Sequence, residues 1–76
     1  MSYNEKRVNL NVNRHEVCDI LRATTALFVD FEMEANNPDV SEDRRKIAAS
    51  SARYWRAFHD KIESQLNEFD EKNGIK

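Results

Sequence analysis

At 76 residues, 34% of them charged and 39% hydrophobic, the chain has room for one small domain with little core. Its formal net charge of −2 excludes binding to nucleic acid by bulk charge alone. A single cysteine, Cys18, excludes an internal disulfide, and one glycine with one proline speaks against an all-β chain, which needs many turns. No apolar run is long enough to cross a membrane, and no hydrophobic signal segment opens the chain. Together with the lone cysteine this predicts a reducing, cytoplasmic setting.

Residues 1–6 read as a loose polar terminus. The following segment, Arg7-Val8-Asn9-Leu10-Asn11-Val12-Asn13, alternates apolar and polar residues strictly, which is the period of an extended strand. The chain offers no second strand to pair with it. Helix 1 is predicted to start after Asn13, an N-cap residue with Glu16 three positions on to complete a capping box. Val12 and Val17 flank that cap as a hydrophobic staple. Val17, Ile20, Leu21, Thr24, Leu27, Phe28 and Phe31 recur at helical spacing and form the core face. Ala26, Val29 and Met33 make a second apolar ridge, which a helix packed on one neighbour does not need.

Asn36-Asn37-Pro38 stops helix 1, since the residue before proline avoids the α region and Asn tolerates the left-handed one. Helix 2 follows a connection of about four residues. Asp39 with Glu42, or Ser41 alone, caps it, and its stripe is Trp55, Phe58, Ile62, Leu66 and Phe69. The predicted fold is therefore all-α: an antiparallel hairpin of helices over about 14–36 and 41–72, with an extended arm at 7–12 and loose ends at 1–6 and 73–76. Counting back from Pro38 makes facing residue numbers sum to about 78. That register sets Phe28 and Phe31 against the small run 48–52, and Trp55 against Ala23 and Thr24. Leu66 and Phe69 then overhang helix 1, and the arm is expected to cover them with Val8, Leu10 and Val12 pointing inward. Alternatively the arm pairs with its copy from a second chain.

A two-helix hairpin buries only one face of each helix, so a homodimer closing into a four-helix bundle through Val29 and Met33 is expected. Arg45, Arg53 and Arg56 lie on what reads as one outward face of helix 2 and, with Val29 and Met33, are the candidate partner-binding residues. The six bases between Arg44 and Lys61 face one acid, Asp60, whereas 30–43 holds six acids and no base. That polarity reads as helix ends and solvated faces, or as a binding surface for phosphate or an acidic protein.

No catalytic set is expected. The chain has no glycine-rich phosphate loop, no cysteine pair and no serine elbow, and no carboxylate sits among apolar neighbours that would raise its pKa. His15, Cys18 and Asp19 share metal-ligand spacing, with His59 at their level along the hairpin, but they do not converge within one chain. Neither cofactor nor metal is expected, and the reading is a non-enzymatic module that binds a protein partner.

The segment from Lys6 to Arg22 resembles the start of ribbon-helix-helix repressors, Arc-like ones in particular. In that family a strand from each subunit pairs into a ribbon that enters the major groove. The resemblance implies that Val8, Leu10 and Val12 are core, and that Arg7, Asn9 and Asn11 face DNA bases. The remainder departs from the family: helix 1 is longer by about two turns, the turn is Asn-Asn-Pro, and helix 2 is far too long and begins with acids that repel phosphate. The whole-chain pattern is also loosely similar to small phage and prophage proteins, which often act by binding and inhibiting a host defence or transcription protein.

Overall fold

The structure, a computed structural model, describes residues 3–75. In chain order it contains a single 3-10 turn (Tyr3–Glu5), an extended arm, helix α1 (Arg14–Ala35) and helix α2 (Glu42–Lys72). The two helices pack against each other as a hairpin, and no strand is present among the described residues. The alternating arm, residues 7–12, forms neither helix nor paired strand. Of the ends expected to be loose, Tyr3–Glu5 is turned and Met1, Ser2 and Lys76 lie outside the described residues.

Each helix end has a local cause. The Asn13 side chain accepts from the Glu16 N–H at 2.8 Å, and the Glu16 carboxylate accepts from the Asn13 N–H at 3.0 Å, completing the capping box. Ser41 caps α2, its Oγ accepting from the Arg44 N–H at 3.3 Å. Between the helices the Asn37 side chain accepts from the Asp39 N–H at 2.9 Å, folding the chain around Pro38. The connection, 36–41, is longer than expected because Asn36 and Ser41 serve as caps outside the two helices. Asn36 stands at φ −101°, not in the left-handed region, and closes α1 by donating its side-chain amide to the Glu32 carbonyl at 2.9 Å. The left-handed position is used at the other end, by Gly74 at φ 68°. There Ile75 N–H reaches the Asp70 carbonyl at 2.8 Å, and Gly74 N–H reaches that of Glu71 at 3.4 Å.

The interior is small. Among the described residues, Thr24 and Phe28 of α1, with Ala48 and Ala52 of α2, are the buried ones. A ring therefore faces methyl groups, as close packing of two helices requires. Thr24 satisfies its hydroxyl within its own helix, donating towards the carbonyls of Ile20 (3.0 Å) and Leu21 (3.1 Å). Val17, Ile20, Leu21 and Phe31 are half-buried around this centre, while Leu27 is 38% exposed.

The register near the turn agrees with counting back from Pro38: Glu34 pairs with Arg44 at 3.1 Å. Further along, side chains meet partners six to ten residues later in α2, as Arg14–Asp70, Phe28–His59 and Glu32–Arg56. Side chains lean towards the N-terminus of their own helix, and in an antiparallel pair both leans act in the same direction. The molecule measures 47 × 36 × 16 Å with a radius of gyration of 15.6 Å, where about 11 Å is typical of a compact chain this long. It is one layer of helices thick, so both broad sides of the hairpin are open.

Candidate interaction surface

The two broad sides differ in chemistry. On one, Arg56 lies between the helices, its Nη2 donating to Glu32 at 2.7 Å while its guanidinium sits 4.5 Å from the Phe28 ring centre. The His59 ring meets the edge of the same phenyl group at 5.4 Å. Arg14 is five helical turns before Glu32, hence on the same flank of α1, and it pairs with Asp70. On this side the helices are bridged by ion pairs.

The opposite side is apolar in its middle, between the Glu34–Arg44 ion pair near the turn and Lys61 at the groove. Phe58 follows Arg56 by two residues, about 200° around α2, and Leu27 stands about 140° around α1 from Glu32. Ile47, Tyr54 and Phe58 fall on this flank at spacings of seven and four. They are 67%, 66% and 37% exposed. Tyr54 meets Trp55 edge-on at 5.4 Å, and Trp55 meets Phe58 edge-on at 6.0 Å. The result is a ladder of three rings with Trp55, half-buried, in the middle. Ser51 and Ala23 are the small residues among them, and no charged side chain interrupts this stretch by helical position.

Towards the open end of the hairpin the same side becomes a groove of about 850 Å³. One wall is the arm and the other is formed by Val17, Ile20, Ile62, Leu66 and Phe69. The arm thus reaches the overhang of α2 as expected, but it does not seal it. Val8 is 78% exposed, Leu10 70% and Val12 40%, and Phe69 beneath remains 48% exposed. The expectation that the arm's apolar residues point inward is corrected: one extended strand with no paired neighbour cannot lie flush along a helix and bury every second side chain. The polar arm residues Arg7, Asn9 and Asn11 are exposed as well.

The residues singled out for partner binding are not gathered into one patch. Val29 (42% exposed) and Met33 (68% exposed) lie on the back of α1, where they border a shallow depression with Val40 and Arg44 near the turn. Arg53 faces solvent. Arg45 is half-buried, with its Nε sealed from solvent and lacking a hydrogen bond, and Arg56 is drawn into the helix pair. Of the three arginines read as one outward face, Arg53 and Arg56 are exposed, Arg56 while reaching across to Glu32, and Arg45 departs from it by being half-buried. The ring ladder is absent from the expected stripe because Ile47 and Tyr54 lie on the flank of α2, outside the Trp55, Phe58, Ile62 line. The spacing of Ile47, Tyr54 and Phe58 is the signal that identifies it.

His15 lies on the surface with Nε2 3.7 Å from Asp19, Cys18 is half-buried, and His59 is held against Phe28, so these groups stay apart. A grouping missed by spacing is His59, Asp60 and Glu63, whose ligand atoms lie within 4.8 Å of one another. His59 and Asp60 already meet there, Nδ1 to Oδ1 at 3.1 Å. The two acids are exposed residues on one helix, an arrangement common without any ion. No described helix is long and apolar enough to cross a membrane. No protein-family model, curated protein or solved structure matches this chain.

Proposed function

We propose that the protein is a small non-enzymatic interaction module that works by docking a protein on the apolar side of its hairpin. One observation carries this reading: Ile47, Tyr54 and Phe58 form an uncharged, exposed flank backed by the half-buried Trp55. Tyrosine and tryptophan supply much of the binding energy at protein interfaces, because they combine a large contact area with few rotatable bonds. The charged side is already occupied by its own ion pairs and offers a partner less. The loose likeness to small phage and prophage proteins adds a class of action, binding and modulating or inhibiting a host protein in the cytoplasm. The test is affinity capture from a host lysate, with and without nuclease, using the wild type and an Ile47→Glu, Tyr54→Glu variant. The reading expects capture that survives nuclease and is lost in the variant. Capture equal in both would contradict it.

A second reading, a dimeric DNA-binding repressor, draws on the arm. Val8 and Leu10 are left open as in a strand awaiting a partner strand, and Arg7, Asn9 and Asn11 stand beside them. It expects salt-dependent binding to a particular duplex that is lost on changing Asn9 and Asn11 to Ala. No duplex binding even at low salt would end it.

A further inference from the structure

We infer that the occupant of the apolar side is a second copy of this chain. The inference rests on the interaction reading above and gives it a first partner.

The argument begins with area. A compact folded chain of 8.9 kDa exposes about 4,800 Å², whereas this one exposes 6550 Å², a surplus of about 1,700 Å². A standard specific interface removes about 800 Å² from each partner. The surplus is thus large enough to supply such an interface twice over, and the extended arm and the overhang of α2 account for part of it. The interior points the same way. Four of the described residues are buried, none of the described side chains is fully so, and two of the four are alanines. A core this small leaves a segment of 73 residues marginally stable by itself. The missing cover has to be present whenever the chain is present, and a second copy meets that condition without a foreign protein.

The surface suits a twofold contact. In such a contact one patch meets itself, so any charge at its centre would face its own kind. Leu27, Ile47, Ser51, Tyr54 and Phe58 put none there. Stacking two one-layer hairpins on these sides gives a four-helix bundle in which the ring ladders of both copies lie inside. The bundle expected from sequence is kept, and its closing face moves from Val29 and Met33 to the side between the helices.

Sedimentation equilibrium tests this. At micromolar concentration the wild type is expected at twice the chain mass of 8.9 kDa. Ile47→Glu with Tyr54→Glu is expected to raise the dimer dissociation constant by roughly a hundredfold or more, since two interface anchors are replaced by like charges. Met33→Glu, on the back of α1, is expected to leave it unchanged. A monomeric wild type overturns the inference, as does a dimer that survives the double variant or is lost with Met33→Glu. Should the separated double variant lose its helix, the wild-type melting temperature decides. It rises with protein concentration for a dimer and is flat for a monomer. A monomer that still captures a foreign protein through Ile47 and Tyr54 overturns this inference and leaves the interaction reading intact. A dimer that captures nothing upholds the inference and removes the foreign partner.

Discussion

Arg14 and Asp70 lock the open end of the hairpin: Nε and Nη2 of the arginine donate to the two carboxylate oxygens of the aspartate, each at 2.8 Å, across 56 positions of sequence. This is the fork-to-fork geometry that fixes direction as well as distance. It joins the first residue of α1 to the last turn of α2, where the helices would otherwise splay. The Asp70 carboxyl is held below its ordinary value of 3.8, first by the hydrogen bonds from Arg14 and then by its charge, against partial burial that opposes them. The same contact raises Arg14 above its usual range.

A depressed carboxyl pKa contributes stability at pH above the unfolded value and loses it as pH falls through the folded one. Asp70→Asn is therefore expected to lower the melting temperature at neutral pH. The gap to the wild type should close progressively below the ordinary value of 3.8. Circular dichroism melts across that range check it. A gap that persists at the acid end would mean the variant acts by something other than charge.

The Asn13–Glu16 box carries a separate expectation. Asn13→Ala removes one cap bond and leaves the α1 N-terminus with an orphan donor, at a cost of about 1 kcal/mol. Asn13→Ser, which keeps an acceptor, should restore most of it. Urea unfolding of the three proteins measures this directly.

Phe28 is the largest side chain in the buried set, with Arg56 over its face and His59 at its edge. Phe28→Ala is expected to cost about 3–5 kcal/mol, close to the whole stability of a domain this size. Ala52→Leu, which pushes a larger side chain into the opposite wall, should cost about 1–3 kcal/mol. Chemical denaturation separates the two, and a mild Phe28→Ala would mean that the interior lies elsewhere.

The arm is predicted to be the first part cut by protease. Arg7 sits in exposed, extended backbone outside both helices, whereas Arg45 and Arg56 lie within α2. Trypsin should cleave after Arg7 well before it cleaves α2, giving a fragment that begins at Val8 and keeps its helical signal. Mass spectrometry over a time course reads the order of cuts.

The parts of this fold that sequence made legible are the ones decided locally. The Asn13 box, the stop at Pro38, the Ser41 cap and the apolar period of both helices depend on residues a few positions apart, and the structure places them where those rules put them. The small run at 48–52 also announced where a ring would be received. What was not legible depends on reach and on the third dimension. Arg56 reads as an outward residue until its length carries it back to Glu32 and Phe28. The Arg14–Asp70 pair follows only once the lean of side chains in antiparallel helices is added to the count from the turn. Whether Val8 and Leu10 are covered cannot be read from their alternation, because the period states which residues share a face and not whether anything lies against it. For the same reason the open side had to be found from the structure: it is the flank of Phe58 that Arg56 does not occupy.

Trp55 is the single tryptophan and stands in the ring ladder between Tyr54 and Phe58, so its fluorescence reports on the apolar side directly. The decisive measurement is acrylamide quenching of Trp55 over a dilution series from micromolar to nanomolar protein, for the wild type and for Ile47→Glu, Tyr54→Glu. If this side is covered by a second copy, quenching of the wild type is weak at high concentration and grows on dilution towards the level of the variant, which does not change. Quenching of the wild type that is independent of concentration and equal to that of the variant throughout would contradict the account.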